Sequence, residues 1–199
     1  MNAFASTIYI FACSPRKGGN CDTMAKYLAK GVEEFGGQSK IIYLRDYNIM
    51  PCIGCGYCFS HKENACVLEQ EDDVLKLFAF LDSHAPVIML APIYFYHLPA
   101  YCKSFIDRAQ KYWARRVKED TKSHTKYIKK VQVALVAARL KGEHLFTGSL
   151  MSLRLFFDLF QREMEEPILW RGYDAMQDFE HDIKACEMMY SLGKHLAKR

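Results

Sequence analysis

Short apolar runs alternate with longer amphipathic stretches along the whole chain. Five runs are short and rich in β-branched and aromatic residues, as buried strands are; they span Thr7 to Ala12, Lys40 to Leu44, Pro86 to Ala91, Val131 to Ala138 and 167–173, "PILWRGY". The stretches between them repeat their apolar positions with a helical period; these predicted helices cover Ala25 to Phe35, a segment from Asp72, 99–113, 149–164 and Asp178 to Lys198. This alternation predicts a doubly wound parallel sheet with helices on both faces.

Length and composition favour one globular domain over residues 1–199. Half of the residues are apolar and 14% are aromatic, which argues against a disordered or fibrous protein. The longest apolar runs, such as "APVIMLAPIY", are too short and proline-broken to span a bilayer. The start of the chain does not resemble a signal peptide, so we expect a cytoplasmic protein, in which eight cysteines favour metal or redox use over disulfides.

One segment, about 111–130, is strongly basic, with eight lysines or arginines against two acids. It is interpreted as a solvated insertion, or as an electropositive rim for a phosphorylated cosubstrate or acidic partner. The net charge of the chain is only +4, so nucleic acid is not expected as a partner.

The loop after the first predicted strand, "CSPRKGGNCDT", carries polar groups directly before a helix. It is neither G-x-G-x-x-G nor a P-loop ending in G-K-[ST]. Ser14, Arg16, Asn20 and Thr23, together with backbone N–H groups at a helix N-terminus, suit a single phosphate. The alternative is a turn whose Ser and Asn only cap the helix.

Two motifs resemble the flavodoxin-like NAD(P)H-dependent FMN reductases. "SPRKGGNCDTMAKYL" is similar to their phosphate loop, S-P-R-x-x-G-N-[ST], with Cys21 at the Ser or Thr position and its backbone N–H left to serve. "APIYFYHLPAYCKSFIDR" is similar to their segment after the third strand, which holds the flavin ring. The resemblance implies a ring wall made of Pro92, Ile93, Tyr94, Phe95 and Tyr96. After the fourth strand the match is looser, and Ala138 stands in the corresponding position.

Four cysteines lie close together in "PCIGCGYCFSHKENAC", with the spacing C-x2-C-x2-C-x7-C. Cys52, Cys55, Cys58 and Cys66 resemble the [4Fe–4S] motif of the iron–sulfur flavoproteins, a subgroup of the same family. Four thiolates from one small loop suit such a cluster, and glycines between them allow tight wrapping. Structural zinc and a loop without metal remain the alternatives.

The resemblance implies a flavodoxin-like three-layer sandwich with five parallel strands in the order 2-1-3-4-5. It further implies an FMN-dependent oxidoreductase that moves electrons from NAD(P)H or a reduced protein to an acceptor, in a homodimer or homotetramer. Because the flavin carries the chemistry, no catalytic side chains are expected. A non-enzymatic electron carrier and a flavodoxin-fold module with a decayed flavin site are the alternatives. The sequence does not identify the acceptor, and it does not distinguish NADH from NADPH.

Overall fold

The computed structural model describes residues 7–119 and 129–198. The basic segment predicted over 111–130 therefore lies partly outside the described residues. Its first half, up to Lys118, belongs to a helix.

Six strands and eight helices alternate along the described chain. The strands are β1 Ile8–Ala12, β2 Ser39–Tyr43, β3 Val87–Pro92, β4 Lys129–Ala137, β5 Arg162–Met164 and β6 Ile168–Arg171. The helices are α1 Asn20–Glu34, α2 Tyr57–Ser60, α3 Val74–Asp82, α4 Ala100–Asp107, α5 Gln110–Lys118, α6 Thr147–Asp158, α7 Asp178–His181 and α8 Ile183–Leu196. A 3-10 turn, Leu44–Asp46, follows β2.

The strands form one parallel sheet, which confirms the predicted order β2-β1-β3-β4-β5. Ile10 at the centre of β1 lies between Ile41 of β2 and Ile88 of β3. All pairings are parallel, so the loops that follow β1, β2, β3 and β4 emerge at one edge of the sheet. That edge is where an open α/β sheet binds its ligands.

Two apolar layers cover the two faces of the sheet. One core lies between the sheet and helices α3 to α6, and contains a ring cluster of Phe78, Phe105 and Phe156. The other core lies under α1, α7 and α8. Together they make the three-layer sandwich expected from the alternating pattern.

Helices α1 and α8 cross at two glycines that allow the backbones to touch. A Cβ on Gly31 would lie 2.1 Å from the carbonyl oxygen of Tyr190, and one on Gly193 would lie 2.1 Å from that of Leu28. No side chain fits at either position without moving a helix. This close contact fixes α1, whose N-terminus faces the ligand edge of the sheet.

The helix predicted over 149–164 is wrong at its C-terminal end. Helix α6 ends at Asp158, and Gln161 takes a left-handed backbone conformation with φ of 56°. Arg162 then begins β5, and its buried guanidinium donates to the carbonyls of Leu81 (2.8 Å) and Ser83 (2.7 Å). Burial lowers the pKa of Arg162 to about 10.

Two short strands, β5 and β6, lie end to end beside β4, where a single fifth strand was predicted. β5 pairs with the beginning of β4, and β6 pairs with its end. The helix predicted over 99–113 is likewise divided, into α4 and α5, with Arg108 and Ala109 between them. None of the described helices is both long and apolar enough to span a bilayer.

Candidate functional site

The loop between β1 and α1, residues 13–19, presents unpaired backbone donors at the ligand edge. Among the described residues no acceptor is found for the N–H groups of Asn20 and Cys21, the first two of α1. The helix dipole adds partial positive charge at the same point. Ser14 and Thr23 are buried beside these donors. The arrangement has the features of an anion-binding helix terminus.

An ion pair that local sequence patterns did not reveal holds this loop in shape. Arg45, in the 3-10 turn after β2, donates to both carboxylate oxygens of Asp22 at 2.8 and 2.7 Å. Arg45 also donates to the carbonyl of Ser14 at 3.2 Å, and Asp22 accepts the N–H of Gly18 at 2.8 Å. The Asp22 carboxylate therefore fixes the conformation of the loop, and the N–H groups of Asn20 and Cys21 remain without acceptors among the described residues.

Two of the predicted phosphate ligands are engaged by another part of the chain. Arg16 donates to the carbonyl of Asp174 at 2.7 Å. Asn20 donates to the carbonyl of Ala175 at 3.0 Å and accepts the N–H of Phe179 at 3.1 Å. Both polar ends of Asn20 are therefore used within the chain, so a phosphate here would rest mainly on backbone N–H groups.

The segment after β6 contributes residues that the sequence analysis missed. Tyr173 and Asp174 line the cavity in front of the β1–α1 loop. Burial, together with a hydrogen bond that the Tyr173 hydroxyl donates to Asp182 at 2.6 Å, raises the pKa of Tyr173 to about 12. Tyr173 thus stays protonated at neutral pH and keeps Asp182 as the cap of α8, where it accepts the N–H of Ala185.

The aromatic segment after β3 turns sharply at two residues. Tyr94 and His97 exchange backbone hydrogen bonds at 2.7 and 3.0 Å, and the residues between them, Phe95 and Tyr96, have φ of 50° and 64°. Gly, Asn and Asp adopt this left-handed backbone conformation readily, whereas bulky aromatic residues adopt it only with strain. Phe95 is completely exposed, with relative accessibility of 102%. Strain of this kind concentrates at functional loops.

A cavity of about 60 Å³ collects most of the predicted flavin-site residues, which are Ser14, Arg16, Asn20, Cys21, Pro92, Ile93, Tyr94 and Ala138. Thr23, Phe95 and Tyr96 do not line it. Tyr96 instead lies against Arg139, whose guanidinium carbon is 5.6 Å from the ring centre. The segments that follow β1, β3 and β4 therefore meet as expected, around a cavity smaller than a typical cofactor pocket.

The four clustered cysteines line a second and larger cavity, of about 350 Å³. All four are free thiols; Cys52 and Cys55 are exposed, whereas Cys58 and Cys66 are half-buried. The sequence predicts an irregular loop. In the structure it contains one helical turn, α2, and Gly56, which precedes this turn, has a left-handed backbone conformation (φ 72°). Burial raises the pKa of the Cys58 thiol.

The donor set fits a thiolate-bound metal or cluster by its chemistry. Four free thiols surround one cavity, and an unsatisfied donor, the Nε of Arg108, is buried in its wall. The four thiols do not converge on one point. Among residues 7–119 and 129–198, no three Cys, His, Asp or Glu side chains form a metal-binding group. Loading would therefore require the cysteine side chains to turn inward.

The other cysteines are buried small side chains, as expected for most of them; they are Cys13, Cys21, Cys102 and Cys186. A hydrogen bond with Cys102, followed by burial, raises the pKa of Cys13 well above its ordinary value. Burial and the neighbouring Asp22 carboxylate raise that of Cys21. The thiols of Cys13 and Cys21 therefore stay neutral and unreactive at physiological pH.

The sheet order defines a flavodoxin-like α/β protein, and the open helix terminus lies at the switch between β1 and β3, where sheets of this kind bind ligands. The chain belongs to the NADPH-dependent FMN reductase family, whose sequence model matches residues 6–157.

Curated relatives carry the name iron-sulfur flavoprotein. One from Archaeoglobus fulgidus is 34% identical over 102 residues, which cover 51% of this chain and 44% of that protein. One from Methanosarcina thermophila is 28% identical over 96 residues and covers 48% of each. The chain thus spans about half the length of the curated relatives it matches.

Solved structures share the fold over nearly the whole chain. The NAD(P)H:quinone oxidoreductase from Methanothermobacter marburgensis has a TM-score of 0.67 at 14% identity, covering 96% of this chain and 97% of that one. The Trp repressor binding protein from Bacillus subtilis has a TM-score of 0.56 at 19% identity, with coverage of 94% and 99%.

Proposed function

We propose that the protein is a cytoplasmic FMN-dependent oxidoreductase that takes electrons from NADH or NADPH, or from a reduced protein. It passes them to an acceptor through a [4Fe–4S] cluster held by Cys52, Cys55, Cys58 and Cys66. The observation that carries the proposal is the meeting of the segments after β1, β3 and β4 around one cavity, with open N–H groups at its end. Family membership supports the choice of FMN and of a nicotinamide donor.

FMN, when bound, supplies hydride acceptance and one-electron transfer. The chain binds its phosphate with the N–H groups of Asn20 and Cys21 at the positive end of α1. Ser14 and Thr23 stand beside those donors, and the Asp22–Arg45 pair keeps the loop in the binding conformation.

The ring would be held by the loop after β3. Pro92, Ile93 and Tyr94 line the cavity, and their apolar surfaces suit the face of a flat ring. The backbone of Ile93 is fixed by a hydrogen bond from its N–H to Val136 at 2.8 Å, so β3 and β4 position this wall together. Phe95 and Tyr96, lying outside the cavity, are then available to a cosubstrate or acceptor approaching the open face.

A [4Fe–4S] cluster, when bound, supplies single-electron transfer. The four cysteines are the donors, and the cavity of about 350 Å³ that they line supplies the space. Relatives named iron-sulfur flavoproteins support this assignment, and zinc at the same thiols is the competing occupant.

A second candidate function is favoured by the small size of the flavin cavity. It has about 60 Å³, and Arg16 and Asn20 tie the segment after β6 across its end. A cavity of this size would suit a flavodoxin-fold module that does not bind flavin.

FMN titration of the purified protein distinguishes the candidates. The proposal expects bound FMN after removal of excess, with loss of its visible absorption when NADH or NADPH is added anaerobically. Tyr94→Ala should weaken FMN binding at least tenfold, whereas Phe35→Ala, a similarly exposed aromatic at the far end of α1, should not.

The other outcomes are equally clear. No uptake of FMN contradicts the proposal and supports the flavin-free module. Bound FMN that dithionite reduces but neither nicotinamide does supports a non-enzymatic electron carrier instead.

Assembly as a homodimer or homotetramer belongs to the same proposal. A groove of about 250 Å³ between α4, α5 and α6 is lined partly by apolar side chains, among them the exposed Trp113 and Leu155, and partly by polar ones. Light scattering after size exclusion should give at least two chains per particle, and a monomer at micromolar concentration would contradict it.

A further inference from the structure

The cysteine loop, residues 51–66, is held at both ends by ion pairs of the same design. At its start, Asp72 accepts the N–H of Met50 at 3.0 Å and is paired with Arg108, which also donates to the carbonyl of Met50 at 3.0 Å. At its end, Glu69 accepts the N–H of Cys66 at 3.1 Å and is paired with Lys111 at 2.9 Å.

The two pairs face the same way. Arg108 and Lys111 line the cysteine cavity, whereas their carboxylate partners, Asp72 and Glu69, are not among the described residues that line it. The remaining acid on the wall, Asp107, is paired with Lys103 on the same helix. In each ion pair, the cation therefore lies on the cavity wall and its carboxylate partner does not.

Arg108 has one donor that nothing in the chain satisfies. Its side chain is 2% exposed and that of Asp72 is fully buried, yet the Nε of Arg108 has no hydrogen-bond partner within the described residues. An unsatisfied buried N–H of a charged group is costly, and such donors normally have a partner. An acceptor brought into the neighbouring cavity would remove that cost.

We propose that Arg108 and Lys111 form a clamp that fixes both ends of the cysteine loop and provides the counter-charge of the cluster it holds. This inference rests on the proposed cluster at Cys52, Cys55, Cys58 and Cys66. Arg108 acts as a positioning residue through the Met50 carbonyl, and its Nε–H, which has no partner among the described residues, would be available to donate to a thiolate of the loaded loop.

The clamp sets how readily the cluster is reduced. Reduction adds one electron from the reduced flavin, and no bond forms or breaks, so the negative charge within the thiolate cage rises by one. Two cations on the wall of a partly buried cavity favour the more negative form, and hydrogen bonds to the sulfurs act in the same direction. Loss of either cation should therefore make reduction harder.

The test is the midpoint potential of the anaerobically reconstituted cluster, followed by its electron paramagnetic resonance signal. Lys111→Gln should lower the equilibrium constant for reduction several-fold. The double variant Asp72→Asn/Arg108→Gln removes an oriented pair without changing the net charge, so it should lower this constant less, by about twofold, which is about 18 mV for one electron. The double variant removes both buried charges, so it does not leave an unpaired carboxylate that could prevent folding.

Lys118→Gln is the matched control. Lys118 lies on the same helix as Lys111 and donates to the carbonyl of His61 in the cysteine loop at 2.7 Å, but it does not line the cavity. Its loss removes the same charge and one contact to the loop, but not from the cavity wall, so it should change the potential less than Lys111→Gln does. The single variant Arg108→Lys, with Asp72 intact, should have a midpoint potential close to that of the wild type, because it keeps the positive charge on the cavity wall.

The outcomes separate this inference from the function on which it rests. A wild-type protein that takes up no iron and sulfide contradicts the proposed cluster and this role together. If the wild-type protein holds the cluster, but Lys111→Gln and the double variant have the same midpoint potential as Lys118→Gln, only the clamp is contradicted.

Discussion

Arg45 binds both carboxylate oxygens of Asp22, and through that pair the turn after β2 holds the loop after β1. The same turn leads directly into the cysteine loop, whose first residues are held by Asp72 and Arg108. One continuous segment therefore supports both the β1–α1 loop and the cysteine loop. Changes in it should affect both.

Asp22→Asn should destabilise the protein and weaken FMN binding. The variant keeps the shape of the side chain but loses a largely buried charge, with side-chain exposures of 4% for Asp22 and 15% for Arg45. We expect the free energy of unfolding in urea to fall by about 2 kcal/mol and the Kd for FMN to rise. Lys30→Gln, which breaks an exposed pair on the same helix, should change stability by less than about 0.5 kcal/mol. Equal effects of the two variants would argue against the role assigned to Asp22.

Phe95→Asn should stabilise the protein. Phe95 has φ of 50° and a fully exposed side chain, so Asn relieves the left-handed strain and loses no packing. The expected gain in unfolding free energy is about 1 kcal/mol. Phe95→Leu removes the ring but keeps the strain, so it should give no gain. If the aromatic is retained for contact with a cosubstrate, both variants should slow NAD(P)H oxidation while leaving FMN binding intact.

Gly31→Ala should be strongly destabilising, although alanine is the better helix former. The added Cβ would lie 2.1 Å from the carbonyl oxygen of Tyr190, so α1 and α8 must separate. We expect a loss of about 3 kcal/mol from overpacking, against a gain of about 1 kcal/mol from helix propensity. Lys26→Ala, on the exposed side of the same helix, provides the control. A stability equal to that of the control would show that the helices are not in contact here.

Thiol labelling of the metal-free protein should separate its eight cysteines into two groups. Cys52 and Cys55 are exposed and should react fastest with a disulfide reagent at pH 8. Cys13 and Cys21 are buried, and their raised pKa values leave almost no thiolate until the pH is well above 9. Denaturant should release the buried group. Reaction of Cys13 or Cys21 in the folded protein at pH 8 would contradict the structure of the β1–α1 region.

Periodicity was sufficient to predict the alternation of strands and helices, because it is a local property, and the resemblance carried by two motifs implied the sheet order. Local patterns failed where distant residues decide the outcome. The apolar period continues past Asp158, yet the chain turns at Gln161 because Arg162 is fixed by carbonyls of Leu81 and Ser83, some eighty positions earlier. Only the folded sheet brings these groups together.

The same limit applies to the site. Most of the residues that a motif named line the cavity after β1, whereas Tyr173 and Asp174 join it through the pairing of β6 with β4. Arg45 and Arg108 act on carboxylates 23 and 36 positions away, a spacing that no helical or strand period encodes. Local motifs therefore indicate candidate ligands, but they do not reveal the distant residues that hold the loops in place.

The most direct test of the account is the visible absorption spectrum of the anaerobically purified protein, together with iron and acid-labile sulfide analysis of the same sample. The account predicts bound flavin, a broad additional absorption, and about four irons and four sulfides per chain. A colourless protein without flavin, iron or sulfide, which takes up none of them on reconstitution, would contradict it.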